Sequence, residues 1–307
     1  MSRAASRPHP PAPPKRIYIR TPWASAMGLE VCVLASGSSG NCTYVSSGGS
    51  ALLVDAGLAA RDIIKRLEEI GSGPGKLDAI LISHSHTDHF RSAGTLFARY
   101  GVPVFTARET LRAIDHKPAC GSFWRVSGCR DFPDRVGDIS ITTFPVPHGG
   151  RDAGRPVGFL FESDGRRLGH VTDCGQMPRK GLELLRGADA LVLEANYHEA
   201  VLRHKLRDPA FAAYWPYLRW VDSPTGHLSN QQCAQVLRQV LSERTRAVFP
   251  AHISENHYDA RRDNNDFATA SSVVMMAVAE LGLGTRICRT YRKERTPGKR
   301  SEVVRLA

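Results

Sequence analysis

The stretch Ser83-His84-Ser85-His86-Thr87-Asp88-His89 follows directly on the apolar run Ala79-Ile80-Leu81-Ile82. Such a run reads as a buried strand that delivers side chains to a cleft. His84, His86, Asp88 and His89 cannot be ordinary packing residues. Protonated, the imidazoles repel one another, and buried neutral they leave nitrogens without partners. A divalent cation removes both difficulties, because neutral imidazole and carboxylate are among its preferred ligands. A solvated His-rich tract would call for low-complexity surroundings, and none are present here. The chain is therefore expected to adopt a fold that ends a short buried strand at a metal site.

Further predicted strands also end on reactive side chains. Asp138–Val146 alternates and runs into His148. Val157–Glu162 and Arg167–Val171 form a hairpin over an Asp-Gly turn and lead to Asp173. A carboxylate there has two oxygens to share between cations, although Asp173 with Gly175 also fits a plain turn. Arg246–Phe249 leads to His252. Asp55, closing Ala51–Val54, either orients a ligand imidazole from behind or caps the helix predicted over about 58–70. Ser36-Gly37-Ser38-Ser39-Gly40-Asn41 follows the strand Leu29–Ala35, and its small side chains let backbone amides approach a ligand. His227 lies in Gly226–Asn230, just before the helix Gln231–Leu241. Ser229 and Asn230 sit there either as anion contacts at a helix start or as a capping box. Residues 197–229 interleave Tyr214, Trp215, Tyr217 and Trp220 with Arg203, Lys205, Arg207 and Arg219. At least half of these aromatics are expected in the core, and the rest could stack bases.

His-x-His-x-Asp-His after an apolar strand, with the later sites at 148, 173 and 252 in this order, resembles the metallo-β-lactamase superfamily. The resemblance implies a four-layer αββα sandwich of α/β class with two divalent ions (zinc or manganese, with iron also admissible) at the edge between two sheets. It assigns His84, His86 and His148 to one ion and Asp88, His89 and His252 to the other, with Asp173 bridging. Leu34-Ala35-Ser36-Gly37-Ser38-Ser39-Gly40-Asn41, Val54-Asp55-Ala56-Gly57, Gly226-His227-Leu228-Ser229-Asn230 and His252-Ile253-Ser254-Glu255 are similar to the YycJ/WalJ group. That branch implies a phosphodiesterase acting on DNA from 5′ ends through a hydroxide bridging the ions. Asp88 would orient that hydroxide, His227 would act over the scissile phosphate, and Ser36, Ser38, Ser39, Asn41, Ser229 and Asn230 would contact substrate. A small cyclic or PhnP-like phosphodiesterase and a metal-stabilised regulatory or DNA-binding protein are the alternatives. Two departures stand out: Gly149-Gly150-Arg151 separates His148 from Asp152, and Cys174 follows Asp173 where the group usually has Thr. The interval from Asp173 to His252 is too short for an inserted β-CASP domain.

The net charge of +11 sits at the ends. Residues 1–27 carry five basic and no acidic side chains, and residues 286–307 carry eight basic and two acidic ones, so the body between is neutral. Basic ends on a neutral body suit either a grip on a polyanion or solvated segments. The expected organisation is a disordered Pro/Arg-rich tail over 1–27 and one domain over 28–307 that ends in a basic β-hairpin. Seven scattered cysteines without Cys-x-x-Cys fit reduced thiols in a cytoplasm. No run approaches the roughly 20 apolar residues of a membrane helix.

Overall fold

The computed structural model describes residues 28–115, 131–254, 265–292 and 300–306, and the expected tail at 1–27 lies outside them. In chain order come β1 (Leu29–Ala35), β2 (Cys42–Ser47), β3 (Ser50–Val54), α1 (Ala60–Glu69), β4 (Ala79–Leu81) and α2 (Thr87–Phe90). Next are α3 (Ala93–Tyr100), β5 (Val104–Phe105), α4 (Arg108–Asp115), β6 (Arg135–Val136), β7 (Ile139–Pro145), β8 (Val157–Ser163) and β9 (Arg166–Val171). Then follow α5 (Arg179–Leu185), β10 (Ala190–Glu194), α6 (Glu199–Lys205), α7 (Trp215–Val221) and α8 (Asn230–Val240). The last described elements are β11 (Ala247–Ala251), α9 (Phe267–Glu280), β12 (Arg286–Ile287) and β13 (Val304–Leu306).

The strands form two mixed sheets, ordered β13-β1-β2-β3-β4-β5 and β12-β11-β10-β9-β8-β7-β6. Strand residues alternate between two apolar environments. Val31 and Val33 face the inter-sheet core with Phe159, Phe161, Val192 and Phe249, whereas Cys32 and Leu34 pack with Ile63, Leu67 and Leu96 of α1 and α3. On the far side, Leu191, Leu193 and Val248 pack with Leu185, Leu237 and Val274 of α5, α8 and α9. Helices thus cover both outer faces, which gives the αββα order. Strands buried on both faces read as continuous apolar runs rather than alternating ones. Each fully buried Leu or Phe of this kind contributes about 1.5–3 kcal/mol.

The C-terminal segment differs from expectation. β12 pairs in parallel with β11, while β13 pairs antiparallel with β1 in the other sheet, so the two strands form no hairpin. Local alternation marks a segment as a strand but does not choose its partner, and here each strand extends a different sheet edge. The aperiodic 197–229 excursion contains the short helices α6 and α7 around a small cluster of Tyr197, Leu202 and Val221.

This topology brings the reactive strand ends to one rim. β3 is parallel to β4, and β9, β10 and β11 are mutually parallel. β7 pairs antiparallel with β8, and β8 antiparallel with β9, so β7 points the same way as β9. The carboxyl ends of α/β strands are where such sheets present ligand sites. Three non-glycine residues at these ends, Asp55, Asp173 and His252, have φ of 63°, 56° and 50°. Left-handed backbone at such residues costs on the order of 1–3 kcal/mol each and persists where surrounding structure enforces it.

Gly57 shows how tightly the rim is built. A Cβ there would lie 1.5 Å from the Asp88 carbonyl oxygen and 2.8 Å from Asn41 N. Gly57→Ala should therefore lower stability by about 1–3 kcal/mol or more and displace the Asp88 loop. Chemical denaturation with metal analysis checks both effects.

Candidate metal centre

His84 stands just past β4, His86 caps α2 at its start, and His148 lies beyond β7. Their nitrogens converge: His84 Nε2 is 3.0 Å from His86 Nδ1, which is 3.2 Å from His148 Nε2. Asp88 and His89 lie in α2 and His252 follows β11. Asp88 Oδ2 is 3.5 Å from His89 Nε2 and 3.7 Å from His252 Nε2. Asp173, beyond β9, faces both groups. Its Oδ1 lies 3.4 Å from His148 Nε2 and 3.5 Å from His252 Nε2, and its Oδ2 lies 3.1 Å from His89 Nε2. His84–His86–His148 and Asp88–His89–His252 each bring their ligand atoms close enough to hold an ion.

The outward nitrogen of every one of these imidazoles has a partner, which fixes where the inward lone pair points. His84 Nδ1 donates to Ser83 Oγ at 3.0 Å, and that hydroxyl donates to Asp55 Oδ2 at 2.9 Å. His89 Nδ1 donates to Asp55 Oδ2 at 2.7 Å, and Asp55 Oδ1 accepts Ser83 N–H at 2.8 Å. His148 Nδ1 donates to the Gly226 carbonyl at 2.7 Å, and His252 Nδ1 donates to Glu194 Oε1 at 3.0 Å. His86 Nε2 lies 3.5 Å from Asp152 Oδ2. The Gly-Gly-Arg departure after His148 therefore still brings an aspartate to the centre, beside a different histidine. Asp55→Ala should weaken metal affinity about 10–100-fold, as loss of outer partners does, measured by competition with a chelating dye.

Electrostatics fit a cation here. Burial holds His84 well below the usual imidazole range and His148 at about 4, so both are neutral at pH 7, the form that binds metal. Burial opposes charge on His89 and His252 too, but Asp173 and the neighbouring carboxylates outweigh it. They raise His89 well above the usual range and His252 to about 10. Burial also works against the Asp88 charge, yet the neighbouring His89 and His252 rings hold the carboxyl low. The carboxylates thus demand positive charge at the point where these nitrogens meet. Asp173 Oδ2 and His252 Nε2 are buried and make no hydrogen bond with described residues. A divalent ion would satisfy both atoms.

The loop after β1 supports the centre. Asn41 is buried, donates to Asp88 Oδ2 at 3.3 Å and to the Gly37 carbonyl at 3.1 Å, and its Nδ2 lies 3.0 Å from His89 Nε2. Ser36 is buried and its Oγ accepts His252 N–H at 2.6 Å. Ser38 is exposed and Ser39 half-buried. Ser229 and Asn230 are engaged otherwise. Ser229 forms the capping box of α8 with Gln232 and donates to Glu199 at 2.5 Å, while buried Asn230 pairs with Asn265. The cap takes up Gln232 N–H, and the Asn230 side chain is turned into the core.

His227 is buried beside the centre. Its ring stacks on His252 at 5.2 Å and packs against His148 at 4.8 Å, and its Nδ1 donates to Glu194 Oε1 at 2.7 Å. Glu194 is the residue that sequence reasoning passed over. Fully buried at the end of β10, it accepts from His227, His252, Cys174 N–H and Leu228 N–H. The signal was present in the chain: an acidic residue closing the apolar run Ala190–Leu193 beside other reactive strand ends.

Residues 51–253 match the family model of the Beta-lactamase superfamily domain. Exodeoxyribonuclease WalJ of Streptococcus pneumoniae serotype 2 (strain D39) is 32% identical over 269 residues, 85% of this chain and 93% of that protein. Exodeoxyribonuclease YycJ of Bacillus anthracis is 32% identical over 263 residues, 84% of this chain and 92% of its own. Among solved structures, the metallo-beta-lactamase fold protein YhfI from Bacillus subtilis superposes with a TM-score of 0.61. It is 14% identical, with 91% of this chain and 100% of that one covered.

Proposed function

We propose, for a chain that belongs to the metallo-β-lactamase superfamily and within it to the WalJ/YycJ group, a metal-dependent phosphodiesterase that shortens DNA from its 5′ end. The observation that carries this reading is the convergence of five imidazole lone pairs and two carboxylates, each imidazole fixed from behind. His84, His86 and His148 would hold one divalent ion and Asp88, His89 and His252 a second, with Asp173 shared. Nitrogen and oxygen ligands without a thiolate admit zinc, manganese or iron. When bound, such ions place positive charge against phosphoryl oxygens and acidify a water. Asp88 orients the attacking water. Glu194 accepts from Nδ1–H of His227, so the imidazolium form would carry a second proton on Nε2 to donate to a non-bridging oxygen or to pass to the leaving oxygen. A cytoplasmic setting fits the reduced cysteines.

His227→Ala is then expected to cut turnover by about 10²–10³ with ion content unchanged. Loss of metal in that variant would make His227 a ligand instead. Manganese-loaded protein should release labelled nucleotide from a 5′-labelled DNA duplex and leave a cyclic nucleotide untouched. The reverse preference would assign a small phosphodiester substrate, and inertness toward both would overturn the hydrolase reading.

A further inference from the structure

The α6–α7 excursion carries a run of rings that leads from the surface to the metal centre. Trp220 packs edge-on to His227 with ring centroids 5.3 Å apart at 82°, and lies 5.7 Å from the His148 ring. Tyr217, one helical turn earlier on α7, lies 5.7 Å from Trp220 at 37°. Trp220 is partly buried against Tyr197, Leu202 and Val221, but Tyr217 is 38% exposed and Tyr214 40% exposed. They are two of the five exposed large hydrophobic residues among the described ones. The excursion has a small core of its own in Tyr197, Leu202 and Val221. Arg203, Arg207 and Arg219 are exposed on the same excursion, and the Arg219 guanidinium lies 5.7 Å above the Trp215 ring. Exposed aromatics among cations are how proteins hold single nucleotides: the rings take base faces and the cations take the backbone. Two ring-to-ring steps, Tyr217 to Trp220 and Trp220 to His148, each of 5.7 Å between centroids, link the surface to the centre.

We infer that Tyr217 and Trp220 form a stacking subsite for the nucleobase beside the scissile phosphate. This rests on the phosphodiesterase reading and adds that the protein distinguishes base-bearing from base-less ends. The site takes any planar nucleobase and is indifferent to its hydrogen-bonding edge, because every base presents a π face.

The test uses the metal-loaded full chain and two 5′-phosphorylated oligonucleotides that differ only in a normal or an abasic terminal nucleotide. Wild-type protein should cleave the base-bearing end with about tenfold or greater preference in kcat/KM, the scale of base–aromatic stacking. Tyr217→Ala should collapse that ratio toward one with ion content unchanged, and Tyr217→Phe, which keeps the ring, should retain it. Trp220→Leu should also lower the ratio, and metal analysis of that variant identifies any disturbance of His148. Equal cleavage of both ends by wild type, or a ratio that survives Tyr217→Ala, would overturn the subsite and leave the nuclease reading standing. Cleavage of neither end would overturn the nuclease reading and the subsite with it.

Discussion

Replacing Asp88 by Ala, or His86 by Ala, is expected to abolish measurable phosphodiester hydrolysis and to lower bound metal. Each substitution removes an atom from a different group of converging ligands, Asp88 from the set with His89 and His252 and His86 from the set with His84 and His148. The charge that metal ions place against a transition state is worth several kcal/mol, so losing an ion slows the reaction about 10³-fold or more. Asp88→Ala leaves a second deficit, because Asn41 Nδ2 loses an acceptor at 3.3 Å and the loop after β1 loses a tie to α2. The check is elemental analysis alongside rate, on protein shown folded by circular dichroism. Full activity in either variant with metal supplied in excess would remove both groups from the chemistry.

Glu194→Ala is expected to be the most damaging change outside the proposed ligands. The carboxylate serves two imidazoles and two backbone amides from a fully buried position. Truncation leaves Cys174 N–H and Leu228 N–H without that acceptor and frees both rings to turn. Breaking buried charged networks in this way costs about 3–5 kcal/mol. Burial opposes the Glu194 charge, but His227 and the hydrogen bonds from His227 and His252 hold its pKa at about 2, below the usual 4.5. Its contribution is therefore present above about pH 4.5 and is lost as the pH falls toward 2. Glu194→Gln keeps the shape without the charge, so it should flatten this part of the acid-denaturation curve while the protein still folds. Its turnover should fall by about 10²–10³, as for His227→Ala. Unlike His227→Ala, it should also weaken metal binding, because His252 loses its orienting acceptor. Metal titrations of the two variants separate the roles.

Much of this was legible in the chain because most of the proposed ligand residues stand at or just past strand ends, and strand ends are marked by where apolar runs stop. Asp55 could be placed behind the proposed ligands for the same reason, although orienting and capping roles could not be separated from sequence. In the structure it accepts from both His89 and Ser83. What stayed hidden depends on contacts between distant segments. Glu194 looks like any polar residue closing a strand until β10 and β11 align it with Ala251, next to His252. Ser229 carried two readings with identical local sequence, and in the structure it forms the capping box with Gln232 and donates to Glu199. The pairing of β12 and β13 with different sheets follows from long-range register, which alternation within a segment does not encode.

The measurement that bears most directly on the proposed binuclear phosphodiesterase is a metal count joined to product analysis. Chelator-stripped protein would be reloaded stepwise with manganese or zinc, and bound ions per chain read against release of 5′-terminal nucleotide from labelled DNA. Two ions per chain are expected, with hydrolysis rising as the second binds and the 5′ label leaving first. Hydrolysis by metal-free protein, full activity at one ion per chain, or loss of label from the 3′ end first would contradict it.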